Sequence, residues 1–159
     1  MSANPAEFTL SQWLDQLSSP QPTPAAGALA FVTLAQCAAL ASKRAKLSWV
    51  PFAPREARAA RFLAHARDDS ETFGLKGSLA LELARARDSL DFSEELKKLV
   101  FPAFHPALPD LTAIRSAAFC ATRILLANLR ANFEGKDSGC EELETGIAAL
   151  EGRLRDLGG

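Results

Sequence analysis

Tyrosine is absent from this chain, valine and isoleucine occur three times each, and Met1 is the only methionine. β-Branched residues are what a pleated sheet favours, so their shortage argues against sheet. The alanine and leucine that stand in their place favour helix. Cysteine is sparse as well. Cys37, Cys120 and Cys140 are an odd number at no metal-like spacing, which reads as reduced thiols in a cytoplasmic protein with no metal site. An excess of charge is missing too. With 18 basic and 19 acidic side chains, the chain carries no general footprint for nucleic acid. The opening, Met-Ser-Ala-Asn-Pro-Ala-Glu-Phe, lacks the basic-then-apolar layout of a signal peptide. One long stretch lacks charge altogether, from Ala25 to Ser42. Most of it is alanine, with Thr33, Gln36 and Ser42 included, and alanine contributes little to insertion into lipid. It reads as a helix buried on all sides, or as a subunit contact, and not as a membrane span.

What is present is organised around the segment that leads into that helix. Ser18 to Gly27 reads Ser-Ser-Pro-Gln-Pro-Thr-Pro-Ala-Ala-Gly. Thr23 suits an N-cap and Pro24 a first helical residue, because proline lacks the N–H that would be unpaired there. The N–H groups of Ala25, Ala26 and Gly27 then have no partner within the helix. They form either a plain helix start or a site for an anion or a polar ligand edge.

The remaining elements follow from apolar spacing. Phe8 to Leu17 is a short helix with Leu10, Trp13, Leu14 and Leu17 on one face. Pro24 to Lys46 is the uncharged helix. Arg55 to Phe73 carries an inward stripe of Ala59, Phe62, Leu63, Ala66, Ser70 and Phe73, with Arg55, Arg58, Arg61 and His65 outside it. Asp69 flanks this stripe, either at a site or bonded to a neighbouring helix end, while Asp68 lies one step around towards solvent. Leu75 to Ser89 is a further helix, and Ser93 caps a short one through Val100. His105 lies in a proline-interrupted stretch and reads as structural. Asp110 opens a long helix to Phe133, as an N-cap. Asn128 and Asn132 lie one turn apart within it, on one face, where asparagine is a poor helix residue; together they would present amide groups to a ligand or bridge to another helix. Cys140 to Leu157 carries Leu143, Ile147, Leu150, Leu154 and Leu157, a stripe for packing on the body or on a partner. The sum is a single all-α domain over residues 1–159, an orthogonal or up-and-down bundle of six to seven helices.

Four of these pieces, in order, carry a resemblance. Trp13-Leu14-Asp15 with Leu17, then Pro22-Thr-Pro24-Ala-Ala-Gly27, resembles the opening of the cyclodeaminase/cyclohydrolase family. That family includes the C-terminal domain of formiminotransferase-cyclodeaminase and the methenyltetrahydrofolate cyclohydrolases. Asp69-Ser-Glu-Thr-Phe73 looks like its Asp-Ala-Glu-Ala-Phe segment, and Pro109-Asp110-Leu111 like its Ser-Asp-Leu. Asn128-Leu-Arg-Ala-Asn132 has its Asn-x-x-x-Asn spacing. Ala25 and Ala26 stand where the family has glycines, Arg67 where it often has an aspartate, and residues 75–105 are compressed. The chain is shorter than a typical member.

The resemblance implies a cytoplasmic homodimeric helical bundle that acts on reduced folates, with tetrahydrofolate derivatives as substrates and no separate cofactor. It would hydrolyse the methenyl bridge, or deaminate and cyclise the formimino group. Asp69 and Asp110 are then the acid/base or charge-stabilising candidates. Asn128 and Asn132 would meet the pteridine. Pro24, Ala25, Ala26 and Gly27 would bind the substrate, with the N–H groups of residues 25–27 as backbone donors, and Arg130, or Lys43 and Arg44, would meet the glutamate tail. Asp110 and Asn128 are eighteen residues apart. They share a face but lie about 27 Å apart along a straight helix, so one compact site in one copy cannot hold both. The alternative is a catalytically silent module of the same fold, serving a small ligand or a protein partner.

Overall fold

The computed structural model describes residues 9–18, 26–47, 56–71, 79–100, 108–134 and 140–158. Among them are six α-helices and no strand: α1 (Leu10–Ser18), α2 (Ala26–Leu47), α3 (Glu56–Glu71), α4 (Leu79–Lys98), α5 (Leu108–Glu134) and α6 (Glu141–Gly158). The all-α bundle expected from composition is what the chain forms. The Pro24 and Ala25 positions, the Thr23 cap, Phe73 and His105 lie outside the described residues.

Helices α2 to α5 run alternately up and down around one core, with α2 against α3 and α5, and α4 against α5. Phe31, Leu34, Phe62, Phe92, Leu96 and Ile114 fill this core. Ala38 and Ala41 of α2 and Ala118 and Ala121 of α5 belong to the same core, and their small side chains allow close approach. The Cys37 thiol of α2 donates to the Ile114 carbonyl of α5 at 3.6 Å. Burial pushes that thiol up to about 11, so it stays protonated. Helix α6 lies against α4 and α5 over a second core of Leu79, Leu90, Leu126, Leu129, Ile147 and Leu150. Full burial of Ile147 and Leu150 contributes about 1.5–3 kcal/mol each, enough to make α6 part of the body.

Several local expectations are corrected. Leu75–Ser89 and Ser93–Val100 are not two helices; α4 is continuous. Ser93 is no cap. Its hydroxyl donates back to the Ser89 carbonyl at 3.1 Å and lies 3.0 Å from the Thr122 hydroxyl in the core. Helix α5 begins at Leu108, so Pro109 and Asp110 occupy its first turn and Asp110 is not the cap. In α1 the cap is Thr9. The Gln12 N–H donates to Thr9 Oγ1 and the Thr9 N–H to Gln12 Oε1, a reciprocal capping box. Leu14 is 55 % exposed, whereas Trp13 is buried. Helix α2 is buried on one side only, since Leu29 and Leu40 are 38 % and 37 % exposed on its outer face. Residues Ala26–Lys46 are long and apolar enough to cross a membrane, but 56 % of that window is buried inside the bundle.

Candidate functional site

Asp69 sits in the last turn of α3 against the first turn of α2. A Cβ built on Gly27 would lie 2.6 Å from Asp69 Oδ2 and 2.8 Å from Oδ1. The carboxylate therefore rests on the bare Gly27 backbone, and the next amide, Ala28 N–H, donates to it. Of the two readings open in the sequence, a bond to a neighbouring helix end is the contact formed. Burial raises the Asp69 pKa above the ordinary carboxylate value. The charge of Arg85 and the Ala28 amide oppose that rise, and Glu82 adds to it.

Asn132 donates to Glu82 Oε2 at 2.9 Å, which ties the last turns of α5 to the first turn of α4. Since α5 runs antiparallel to α2, Asn128 and Asn132 lie at the same end of the bundle as Gly27 and Asp69. Arg130, one of the expected tail-binding residues, is instead a fork onto Glu151 of α6, with bonds of 3.0 Å from Nε and 2.8 Å from a terminal nitrogen. Asp110 is at the opposite end, paired with Arg44 of α2. The two aspartates singled out in the sequence are thus not brought together, and Arg44 is occupied by Asp110.

Between α3 and α4 the sequence reading is incomplete. These two helices meet mainly through side chains: Phe62 stacks at a tilt on Phe92, 5.5 Å between centroids, and charged residues line the seam around them. On α3, Arg58, Arg61, His65 and Asp68 recur every three or four residues. On α4, Glu82, Arg85, Asp88 and Glu95 recur every three or more, so one charged stripe faces another. Arg58 pairs with Glu95 at 2.5 Å and Arg61 with Asp88 at 3.4 Å. Asp68, expected in solvent, pairs with Arg85 at 3.0 Å. His65, expected outside the core stripe, packs on Phe31 and Phe62, with centroids 5.3 and 6.4 Å away. Burial lowers its pKa, and the Arg85 charge lowers it further against the pull of Asp88 and Asp68. The matching stripes were the signal available in the sequence for this seam.

Among the described residues no group of three or more His, Cys, Asp or Glu side chains is arranged to hold a metal ion. What the region offers chemically is a half-buried carboxyl of raised proton affinity over a helix N-terminus, a neutral imidazole one turn away on the same helix, and amide groups at the same end. Comparison with family models, with curated proteins and with solved structures gives no match.

Proposed function

We propose that this chain is a divergent relative of the cyclodeaminase/cyclohydrolase family. Its reaction is at the one-carbon bridge of a reduced folate, by hydrolysis of the methenyl group or by deamination and cyclisation of the formimino group. The observation that carries this reading is the position of Asp69. Its carboxyl lies over Gly27 at the start of α2, at the bundle end that also holds Asn128 and Asn132. A carboxyl whose pKa is raised by burial suits proton transfer to a ring nitrogen as a carbon–nitrogen bond breaks. In this reading the backbone donors after Pro24, including Ala26 and Gly27, and the two asparagines hold the pteridine. Asp110 serves structure through Arg44, and the protein works as a cytoplasmic homodimer.

A second reading is the silent module. It is favoured by the contacts that already occupy the polar groups: Asn132 on Glu82, Arg130 on Glu151 and Asp69 on the Ala28 amide. The two readings separate in one assay. Purified protein is mixed with methenyltetrahydrofolate and loss of its absorbance is followed, with Asp69→Asn and Asn128→Ala beside it. Loss well above the buffer rate, reduced at least about 100-fold by Asp69→Asn, supports the enzyme. Saturable binding without turnover, weakened by Asn128→Ala, supports the silent relative. Neither turnover nor binding removes the folate reading.

A further inference from the structure

Helices α3 and α4 pack on one side of the α2–α5 pair, so the residues that α2 and α5 turn away from the core form one face. On α2, Leu29, Thr33, Gln36, Leu40 and Lys43 recur every three or four residues, and all but the half-buried Thr33 are exposed. Thr33 donates its hydroxyl to the Leu29 carbonyl at 2.9 Å and so needs no outside partner. On α5, Ala113, Ala117, Cys120, Ile124, Ala127 and Ala131 alternate steps of four and three, the spacing of a helix-pairing seam. Ala117 and Ile124 lean on the core, and the other four are exposed.

This face carries no charge along its length. Helix α2 has none from Ala26 to Ser42. The cations of α5 are turned elsewhere: Arg115 onto the Leu96 carbonyl of α4, Arg123 over the Phe119 ring, and Arg130 onto Glu151 of α6. The exposed positions of α3, α4 and α6, by contrast, include Arg61, Arg67, Arg87, Glu95, Glu144 and Arg155. Charge returns to the α2–α5 face only at its ends, with Lys43 where α2 finishes and Glu134 where α5 finishes, both exposed. The two helices are antiparallel, so these are opposite ends. The last turn of α5 holds no basic residue to offset its dipole.

We propose that a second copy of this chain covers the face, in an antiparallel two-fold pairing that lays α2 on α2 and α5 on α5. Lys43 of each copy then stands at the end that holds Glu134 of the partner subunit. Charge decides the sense. In a parallel pairing, lysine meets lysine at one end and glutamate meets glutamate at the other; in the antiparallel one both ends are matched. A two-fold contact needs a self-complementary patch, and opposite charges at opposite ends of an uncharged face supply one. The small side chains of the α5 seam allow two copies of that helix to approach closely, and the exposed leucines of α2 add apolar area beside it. Two helices, each about 30 Å long and about 10 Å wide, present about 600 Å² in projection, close to the roughly 800 Å² per partner of a standard interface. The homodimer belongs to the reading above; the face that forms it and its antiparallel sense follow from this surface and hold whether or not the chain acts on a folate.

Two measurements test this on the intact chain. The first is the dimer dissociation constant by sedimentation equilibrium, for wild type and for surface variants checked for unchanged helicity. Leu29→Asp with Leu40→Asp is expected to raise it at least about 100-fold. Lys43→Glu and Glu134→Lys are expected to raise it about tenfold each, and together to return it to within about fivefold of wild type. A wild type that stays monomeric at about 100 μM overturns the proposal, and one that instead sediments with phosphatidylcholine vesicles assigns the face to lipid. A dimer that the paired leucine substitutions leave unchanged overturns the face, and a charge-swapped double variant no tighter than the single ones overturns the antiparallel sense. The second measurement uses Cys120, which is exposed and lies near the middle of the α5 seam, where the two-fold brings it close to its own copy. A short bismaleimide is expected to link the wild type into a covalent dimer, to fail with Cys120→Ser and to succeed with Cys140→Ser. The reverse dependence on the two cysteines overturns the face. Neither measurement uses a folate, so their failure leaves the one-carbon chemistry to its own assay and removes only the dimer from that reading.

Discussion

The two ends of the bundle use charge in different ways. At the end where α2 and α4 finish, charged side chains complete helix termini and are themselves matched. Asp110 in the first turn of α5 meets Arg44 near the end of α2, each where the local helix dipole favours its sign. Arg115 donates to the carbonyls of Leu96 at 2.8 Å and Lys97 at 2.9 Å, and to Leu99, closing the C-terminus of α4. Lys97 in turn donates to the Leu157 carbonyl at 3.1 Å at the end of α6. At the other end, Asp69 also completes a helix terminus, but it meets a backbone amide and not a cation, and Arg85 pairs with its neighbour Asp68. The first end is built for stability. The second holds a carboxyl whose ionised form burial disfavours, which is a cost that a purely structural cap would avoid.

The largest expected effect is at the matched end. Arg115→Ala removes donors from three carbonyls at once, two of the bonds being part-buried. Hydrogen bonds to a charged group are worth about 1.5–3 kcal/mol, so the substitution is expected to cost about 2–3 kcal/mol in urea unfolding. Arg115→Lys is expected to recover less than half, because an ammonium cannot span three carbonyls as the planar fork does. A loss under about 0.5 kcal/mol for Arg115→Ala would show that water replaces the guanidinium and that the two ends do not differ in this respect.

Asp69 is expected to have a smaller effect on stability and a larger effect on its pH dependence. Its folded pKa is raised, so the folded state binds the proton more tightly than the unfolded chain does. The carboxyl's contribution is therefore fully present below the ordinary value of 3.8 and is lost as pH rises through the folded pKa. Asp69→Asn keeps an acceptor for the Ala28 amide without a charge. Relative to that variant, wild type should lose stability as pH rises through this window and then run parallel to it. Asp69→Ala leaves the amide unpaired and should cost about 1 kcal/mol at its most favourable pH for comparison. Urea midpoints from pH 3 to 8 decide the point; curves for wild type and Asp69→Asn that stay parallel throughout would show that the carboxyl is not perturbed.

Much of the helical frame was legible because local spacing decides it. The Leu143, Ile147, Leu150 stripe places α6, and Phe62 with Ala66 orients α3. Asp69 was placed at the edge of the α3 stripe for the same reason, and its helix-end contact was one of the two readings open to it. What failed depended on partners distant in sequence. Ser93 resembles a cap until Thr122, twenty-nine residues later, offers a buried hydroxyl. Asp68 resembles a solvated residue until Arg85 arrives from α4. Asn132 fits either a ligand group or a bridge to another helix, and Glu82, fifty residues away, makes it the bridge. Leu14 belongs to an apolar stripe by spacing, yet it stays outside while Trp13 next to it is covered. Periodicity reports which face is apolar and not how much neighbouring surface is available to cover it.

The smallest effect is the most specific to the Asp69 end. Gly27 lies in the first turn of α2, and alanine there would gain up to about 1 kcal/mol of helix propensity. Against that gain, its methyl group would stand within 2.8 Å of both carboxylate oxygens of Asp69, which must swing away and give up the Ala28 amide. The two effects are of similar size, so Gly27→Ala alone should change stability by less than about 0.5 kcal/mol. In an Asp69→Ala background the obstruction is gone and only the propensity gain remains, so the same substitution should stabilise by about 0.5–1 kcal/mol. The coupling between the two positions, about 0.5–1 kcal/mol in a double-mutant cycle, measures the contact itself and is insensitive to helix propensity, which cancels around the cycle. Equal effects of Gly27→Ala in both backgrounds would place the carboxylate elsewhere in solution. The start of α2 would then lack the group on which any proton transfer at this end depends.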